Sequence, residues 1–107
     1  MELYSYEVTF IINPEFDEEE TQSVLKQIKG TIDNKGGKIT DVDVWGKRKL
    51  AYEIDDYTTG FYVVIQFDAP GDTPMELERL LKLTDEVIRF IIVRTEEMNK
   101  SKKSRSA

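Results

Sequence analysis

The chain of 107 residues contains no cysteine and no histidine. Without cysteine there are no disulfides and no thiolate metal sites, which fits a reducing compartment. With both residue types missing, acid–base chemistry at neutral pH would fall to carboxylates. The pairs Asp41/Asp43 and Asp55/Asp56 occupy strand or turn positions where solvation accounts for them. No enzyme is expected and no catalytic residue stands out. The run Asp17-Glu18-Glu19-Glu20 lacks the spacing of a calcium loop, and acids at a helix start answer its dipole. Hence no metal, no cofactor and no small-molecule substrate is expected. Long apolar runs are missing too: none approaches the roughly 18 residues of a membrane span. The start, Met1-Glu2-Leu3-Tyr4-Ser5-Tyr6-Glu7, has no basic stretch ahead of an apolar one, so neither a secretion signal nor membrane contact is expected.

Positive charge is in short supply, with 15 Lys and Arg against 21 Asp and Glu. The deficit is uneven. Residues 1–95 carry a net charge of -8, whereas residues 96–107 carry Lys100, Lys102, Lys103 and Arg105 against Glu96 and Glu97. The first stretch reads as one domain with a modest core, the second as a basic flexible tail. An acidic body with local basic patches is no general nucleic-acid binder; it suits contact in one place and one orientation. Against that background, Trp45-Gly46-Lys47-Arg48-Lys49-Leu50-Ala51-Tyr52-Glu53-Ile54 sets three consecutive cations beside two aromatic rings. Cations that neutralise phosphates and rings that stack on unpaired bases are what RNA binding requires. A solvated strand face is the ordinary alternative.

The pattern predicts the elements in turn. Residues 3–12 alternate, with Tyr6, Val8, Phe10 and Ile12 on one side, until Asn13-Pro14 ends the strand. Asp17 then reads as a helix N-cap with Glu20 three residues on. Val24, Leu25, Ile28 and Ile32 form the helical stripe, and Gly36-Gly37 follows the end. Residues 38–54 make a long second strand in which Gly46 marks a bulge or bend. Residues 55–60 have turn chemistry, Phe61–Phe67 alternates again, and Thr73-Pro74-Met75-Glu76 opens a second helix with Thr73 as cap. A last strand runs from Val87 to Arg94.

The order strand, helix, strand, strand, helix, strand predicts an α+β, ferredoxin-like βαββαβ sandwich: a four-stranded antiparallel sheet with two helices on one face. Strands one and three lie in the middle and the long second strand at an edge. If Phe61, Val63, Ile65 and Phe67 face the helices, the opposite face carries Ile11, Tyr62, Val64, Ile91 and Val93 with nothing in the chain to cover them. Arg89 joins that face by alternation. Whether Arg48 and Tyr52 do so depends on the geometry at Gly46.

The segment Trp45–Ile54 resembles the signature of the bacterial small-subunit ribosomal protein six family. Two further segments sit where that family would have them: Tyr6-Glu7-Val8-Thr9-Phe10-Ile11-Ile12-Asn13-Pro14, and the stretch from Leu83 to Arg94. The resemblance covers residues 4 to about 95, nearly the whole chain. The resemblance implies a non-catalytic, cytoplasmic scaffold protein of the small subunit, bound to the central domain of 16S ribosomal RNA as a heterodimer with small-subunit ribosomal protein eighteen. It implies Arg48, Tyr52 and Arg89 as RNA contacts, with Lys47 and Lys49 neutralising phosphates. Trp45 and the outer face of Ile11, Tyr62, Val64, Ile91 and Val93 are the corresponding candidates for protein contact. Residues 60–67 also have a passing likeness to the third-strand motif of RNA-recognition-motif domains, but Phe61 and Phe67 fall on the helix-facing side in this register. The reading from a different class is a ferredoxin-like regulatory or oligomerisation domain, which would use the outer face to pair and would have no need of Lys47-Arg48-Lys49.

Overall fold

Alternation in two strands builds the core. Strand β1 (Tyr4–Ile12) turns Tyr6, Val8, Phe10 and Ile12 to one side of the sheet. In the computed structural model, which describes residues 2–54 and 56–95, all four are buried. Helix α1 (Glu18–Asn34) lays Val24, Ile28 and Ile32 on them. The long strand β2 (Lys38–Ile54) leads through a tight reversal into β3 (Tyr57–Ala69), whose Val63, Ile65, Phe67 and Ala69 complete the sheet's share of the core. Helix α2 (Thr73–Lys82) adds Leu77 and Leu81, and β4 (Val87–Arg94) closes the sheet. Each fully buried aliphatic or aromatic side chain contributes about 1.5–3 kcal/mol over its exposed state.

The strands are antiparallel in the order β2-β3-β1-β4. With both helices on one face, this is the ferredoxin-like α+β sandwich expected from the pattern. Central β1 and β3 pair without interruption from Tyr4 with Ala69 to Ile12 with Phe61.

Local signals account for the helix ends. Asp17 Oδ1 accepts the Glu20 N–H at 2.9 Å, as the capping pattern required. At the other end Gly36 has φ +84°, and the Gly37 and Gly36 N–H groups bond the carbonyls of Ile32 and Asp33. That is the glycine-dependent Schellman closure. Helix α2 departs from expectation: its cap is Asp72, with no side-chain cap bond, and Thr73 is the first helical residue. Its N–H bonds the Pro70 carbonyl, and its side chain is fully buried. Asp72 instead pairs with Lys35 at 2.8 Å, tying the end of α1 to the start of α2.

Strand β3 begins at Tyr57, earlier than the alternation of Phe61–Phe67 suggests. Thr59 and Gly60 pair with Lys49 and Arg48, so residues assigned turn chemistry extend the ladder. The reversal falls at Asp56, whose φ of 70° is a left-handed conformation that Asp tolerates better than most residues. The basic tail 96–107 lies outside the described residues.

Candidate nucleic-acid interface

Gly46 decides where the basic segment points. Val44 pairs with Val63 and Gly46 pairs with Tyr62, so Trp45 is an extra residue in the edge strand. Gly46 has φ +82°, a conformation open to glycine at little cost. Because strand faces alternate, one extra residue exchanges the sides of everything beyond it. Without the bulge Arg48 would share the helix-facing side with Val42 and Val44. With it, Arg48 pairs with Gly60, one step from Phe61 of the inner side, and stands on the outer face.

The same register divides the three cations. Lys47 pairs with Phe61 and lines a groove with Pro14, Phe16, Asp17 and Glu18, on the α1 side of the sheet. Arg48 lines a different, open groove of about 470 Å³ with Trp45, Ala51 and Tyr62; Lys49, opposite Thr59, falls by alternation on the side of Lys47 but also borders that groove. The cluster is continuous in sequence and split in space.

Trp45 itself is held in place. Its ring stacks on Tyr62 with centroids 5.9 Å apart and planes 14° from parallel. Its Nε1–H donates to Asp43 Oδ2 at 2.9 Å. The Arg48 guanidinium carbon lies over the indole at 5.8 Å, and Arg48 Nε–H donates to the Trp45 carbonyl at 3.3 Å.

A second cation–aromatic pair forms where the turn end of the β2–β3 hairpin approaches β4. Beyond Lys49 the β2–β3 register shifts again, and four residues of β2 stand against Thr58 alone before Ile54 meets Tyr57. This bends the hairpin end over the outer face. Leu50 and Ile11 become buried there, and a methyl group on Gly60 would overlap Ile11 Cγ2. Tyr57 Oη accepts a 2.7 Å hydrogen bond from Asn13 Nδ2, fastening the hairpin to the end of β1. Tyr52 arrives beside the start of β4: Arg89 Nη1 donates to its Oη at 3.1 Å, and the guanidinium lies 5.9 Å from its ring centre. Arg89, Ile11, Tyr62 and Gly46 are successive partners across the sheet, so the Arg48–Trp45 and Arg89–Tyr52 pairs flank one row of the outer face.

The outer face is therefore less open than alternation implied. Ile11 and Val64, expected to be uncovered, are each only 8% exposed. For Ile11 the cause is the bent hairpin, which no strand pattern encodes. Ile91 is 60% exposed, and Tyr62 and Val93 are half-buried. Ile91 and Val93 neighbour an acidic zone: their rows contain Asp43 and, one step further, Glu7 and Asp41. The face thus has a basic, aromatic end and an apolar, acidic end. Leu50 and Gly60, not among the site candidates, set its shape. The signal for them was the lone glycine beside a strand already predicted. Phe61 and Phe67 lie on the core side, where they cannot serve as a base-stacking platform. Among the described residues no group of acids is arranged to hold a metal ion.

The sequence model of the family described as Ribosomal protein S6 matches residues 5–94. Small ribosomal subunit protein bS6 of Carboxydothermus hydrogenoformans is 45% identical over 95 residues, covering 89% of this chain and 99% of that protein. The bS6 protein of Clostridium beijerinckii is 51% identical over 88 residues, covering 82% and 93%. A crystal structure of 30S ribosomal protein S6 from Thermotoga maritima superposes with a TM-score of 0.87 at 34% identity, over 99% of this chain and all of that one. The P2 domain of the chemotaxis kinase CheA, solved in complex with CheY, has a TM-score of 0.56 at 13% identity and shares the fold alone.

Proposed function

Because this chain belongs to the ribosomal protein S6 family and is a structural component of the bacterial small ribosomal subunit, we propose that its outer sheet face joins the central domain of 16S ribosomal RNA to small-subunit ribosomal protein eighteen. Arg48, Tyr52 and Arg89 contact the RNA, Lys49 neutralises a neighbouring phosphate, and Lys47 adds charge from the opposite side. Trp45, Tyr62, Ile91 and Val93 supply the protein-facing surface, with Ile11 and Val64 supporting it from beneath. The function is architectural, and no step of catalysis belongs to it.

One observation carries this reading. On a domain of net negative charge, Arg48 and Arg89 each lie beside an aromatic ring on one face, and neither is paired with a carboxylate among the described residues. A guanidinium left unpaired among so many acids is available for a phosphate, which its planar fork binds through two parallel N–H groups. The acidic zone around Asp41, Asp43 and Glu7 repels phosphate and attracts a basic protein. The two ends of the face are thus complementary to two different partners that lie side by side.

The test is a titration of central-domain ribosomal RNA with this protein alone and with protein eighteen present. Weak binding alone and much tighter binding together is the expected result; equal affinities overturn the proposal. In the ternary complex, Arg48→Ala and Lys49→Ala each lower the log–log salt slope by about 0.7–0.9, the signature of one lost phosphate contact. Arg89→Lys keeps the charge and loses the fork, so affinity falls while thermal stability holds.

A further inference from the structure

Trp45 is exposed enough to invite assignment to a partner surface, being 46% accessible. Its surroundings indicate another role. The bulge that makes it an extra residue also presses its ring onto Tyr62, and Asp43 fixes the indole by its N–H. An aromatic ring tethered at its edge and stacked on a neighbour is a rigid plate. Arg48 lies over that plate, and its Nε–H is engaged by the carbonyl of the same residue. Of the guanidinium nitrogens, Nε is the one these contacts engage. The two terminal amino groups make no hydrogen bond to any described residue and remain to serve as a fork.

We propose that Trp45 is a positioning residue: the Tyr62–Trp45 stack holds the Arg48 guanidinium in the orientation that presents its terminal amino groups to an RNA phosphate. This rests on the RNA role of Arg48 proposed above and goes beyond it by moving Trp45 from the protein-facing surface to the RNA contact. Preorganisation raises affinity by removing the entropy of ordering a long side chain at the moment of binding. An exposed cation–aromatic contact limits the gain to about two- to fivefold in affinity. The indole is also the chain's single tryptophan, so its fluorescence reports on this site alone.

The test combines a mutant cycle with a signal from the arginine itself. In the complex with protein eighteen, Arg48→Ala is expected to lower affinity for central-domain RNA about tenfold or more, as for a lost charge-assisted hydrogen bond. Trp45→Leu lowers it about two- to fivefold, Trp45→Phe restores most of the loss, and Trp45→Leu adds nothing once Arg48 is Ala. In the free protein, the Arg48 Nε–H resonance should show an aromatic ring-current shift and restricted motion, kept in Trp45→Phe and lost in Trp45→Leu. Circular dichroism confirms that each variant is folded. Additive losses overturn the positioning role by making Trp45 a contact in its own right. An Arg48 signal indifferent to Trp45→Leu overturns it whatever the affinities are. An Arg48→Ala variant with full affinity overturns the RNA role of Arg48 itself, which is a separate failure.

Discussion

The two faces of this sheet are made from the same strands and obey different rules. On the helix side, alternation runs unbroken through β1 and β3, and Val8, Phe10, Ile12, Val63, Ile65 and Phe67 are all essentially inaccessible. On the outer side, closure is partial and comes from exceptions: a bulge at Trp45-Gly46 and a bent hairpin end over Ile11. A face covered by helices needs only the right residue every second position. A face that must keep an interface open has to decide, residue by residue, what to cover. That decision is made by backbone irregularities, which are few and local.

The largest expected effect lies on the regular side. Phe10→Ala should cost about 3–5 kcal/mol in urea unfolding, because it empties the centre of the core. A cost under about 1 kcal/mol would mean that the inner face is not the principal core.

The outer face should divide between two residues of one cross-strand row, Val64 and Ile91, which flank Thr9 of β1. Val64→Asp is expected to lose about 3 kcal/mol, since it buries a charge with no partner. Ile91→Asp should stay within about 0.5 kcal/mol in the free protein and fail to bind protein eighteen. Equal tolerance at both sites would restore the uniformly open face that simple alternation suggests.

A smaller effect isolates the bulge. No atom would touch a methyl group at Gly46, so Gly46→Ala bears only the left-handed backbone penalty of about 1–2 kcal/mol. Its RNA affinity should fall by more than its stability implies, because relaxing the bulge turns Arg48 toward the helix side. An affinity unchanged in the folded variant would separate the bulge from the interface.

The smallest effect is away from both faces, at the exposed Lys35–Asp72 pair. The hydrogen bond from Lys35 holds the Asp72 carboxyl below its ordinary range, and the same bond raises Lys35. A lowered carboxyl stabilises the fold above its unfolded-state titration and loses that contribution as pH falls through the folded-state one. The raised ammonium contributes below its ordinary titration and loses its share as pH climbs through the raised one. Unfolding curves of wild type and Asp72→Asn should therefore differ slightly near neutrality and converge in acid. A gap that widens in acid would contradict the pairing.

Much of this molecule is legible in its sequence. Six elements in order, the Asp17 cap, the glycine closure at Gly36 and the core side of β1 and β3 all follow from contacts within a few residues, where backbone period and side-chain type are sufficient. Gly46 could be flagged as a bulge because only glycine takes its φ cheaply, and Arg89 could be placed on the outer face by counting from Ile91. Counting failed where the chain meets itself at a distance. Thr73 gave way to Asp72 as the cap of α2, and Thr59 and Gly60 joined the ladder through pairing with β2. Tyr52 and Arg89 touch across a separation of 37 residues. That contact, like the burial of Ile11, exists because the hairpin end bends over the sheet. Sequence period determines which side of a strand a residue occupies, since the backbone repeats every two residues. What covers that side depends on how far a distant segment curves, and only the assembled tertiary structure decided that.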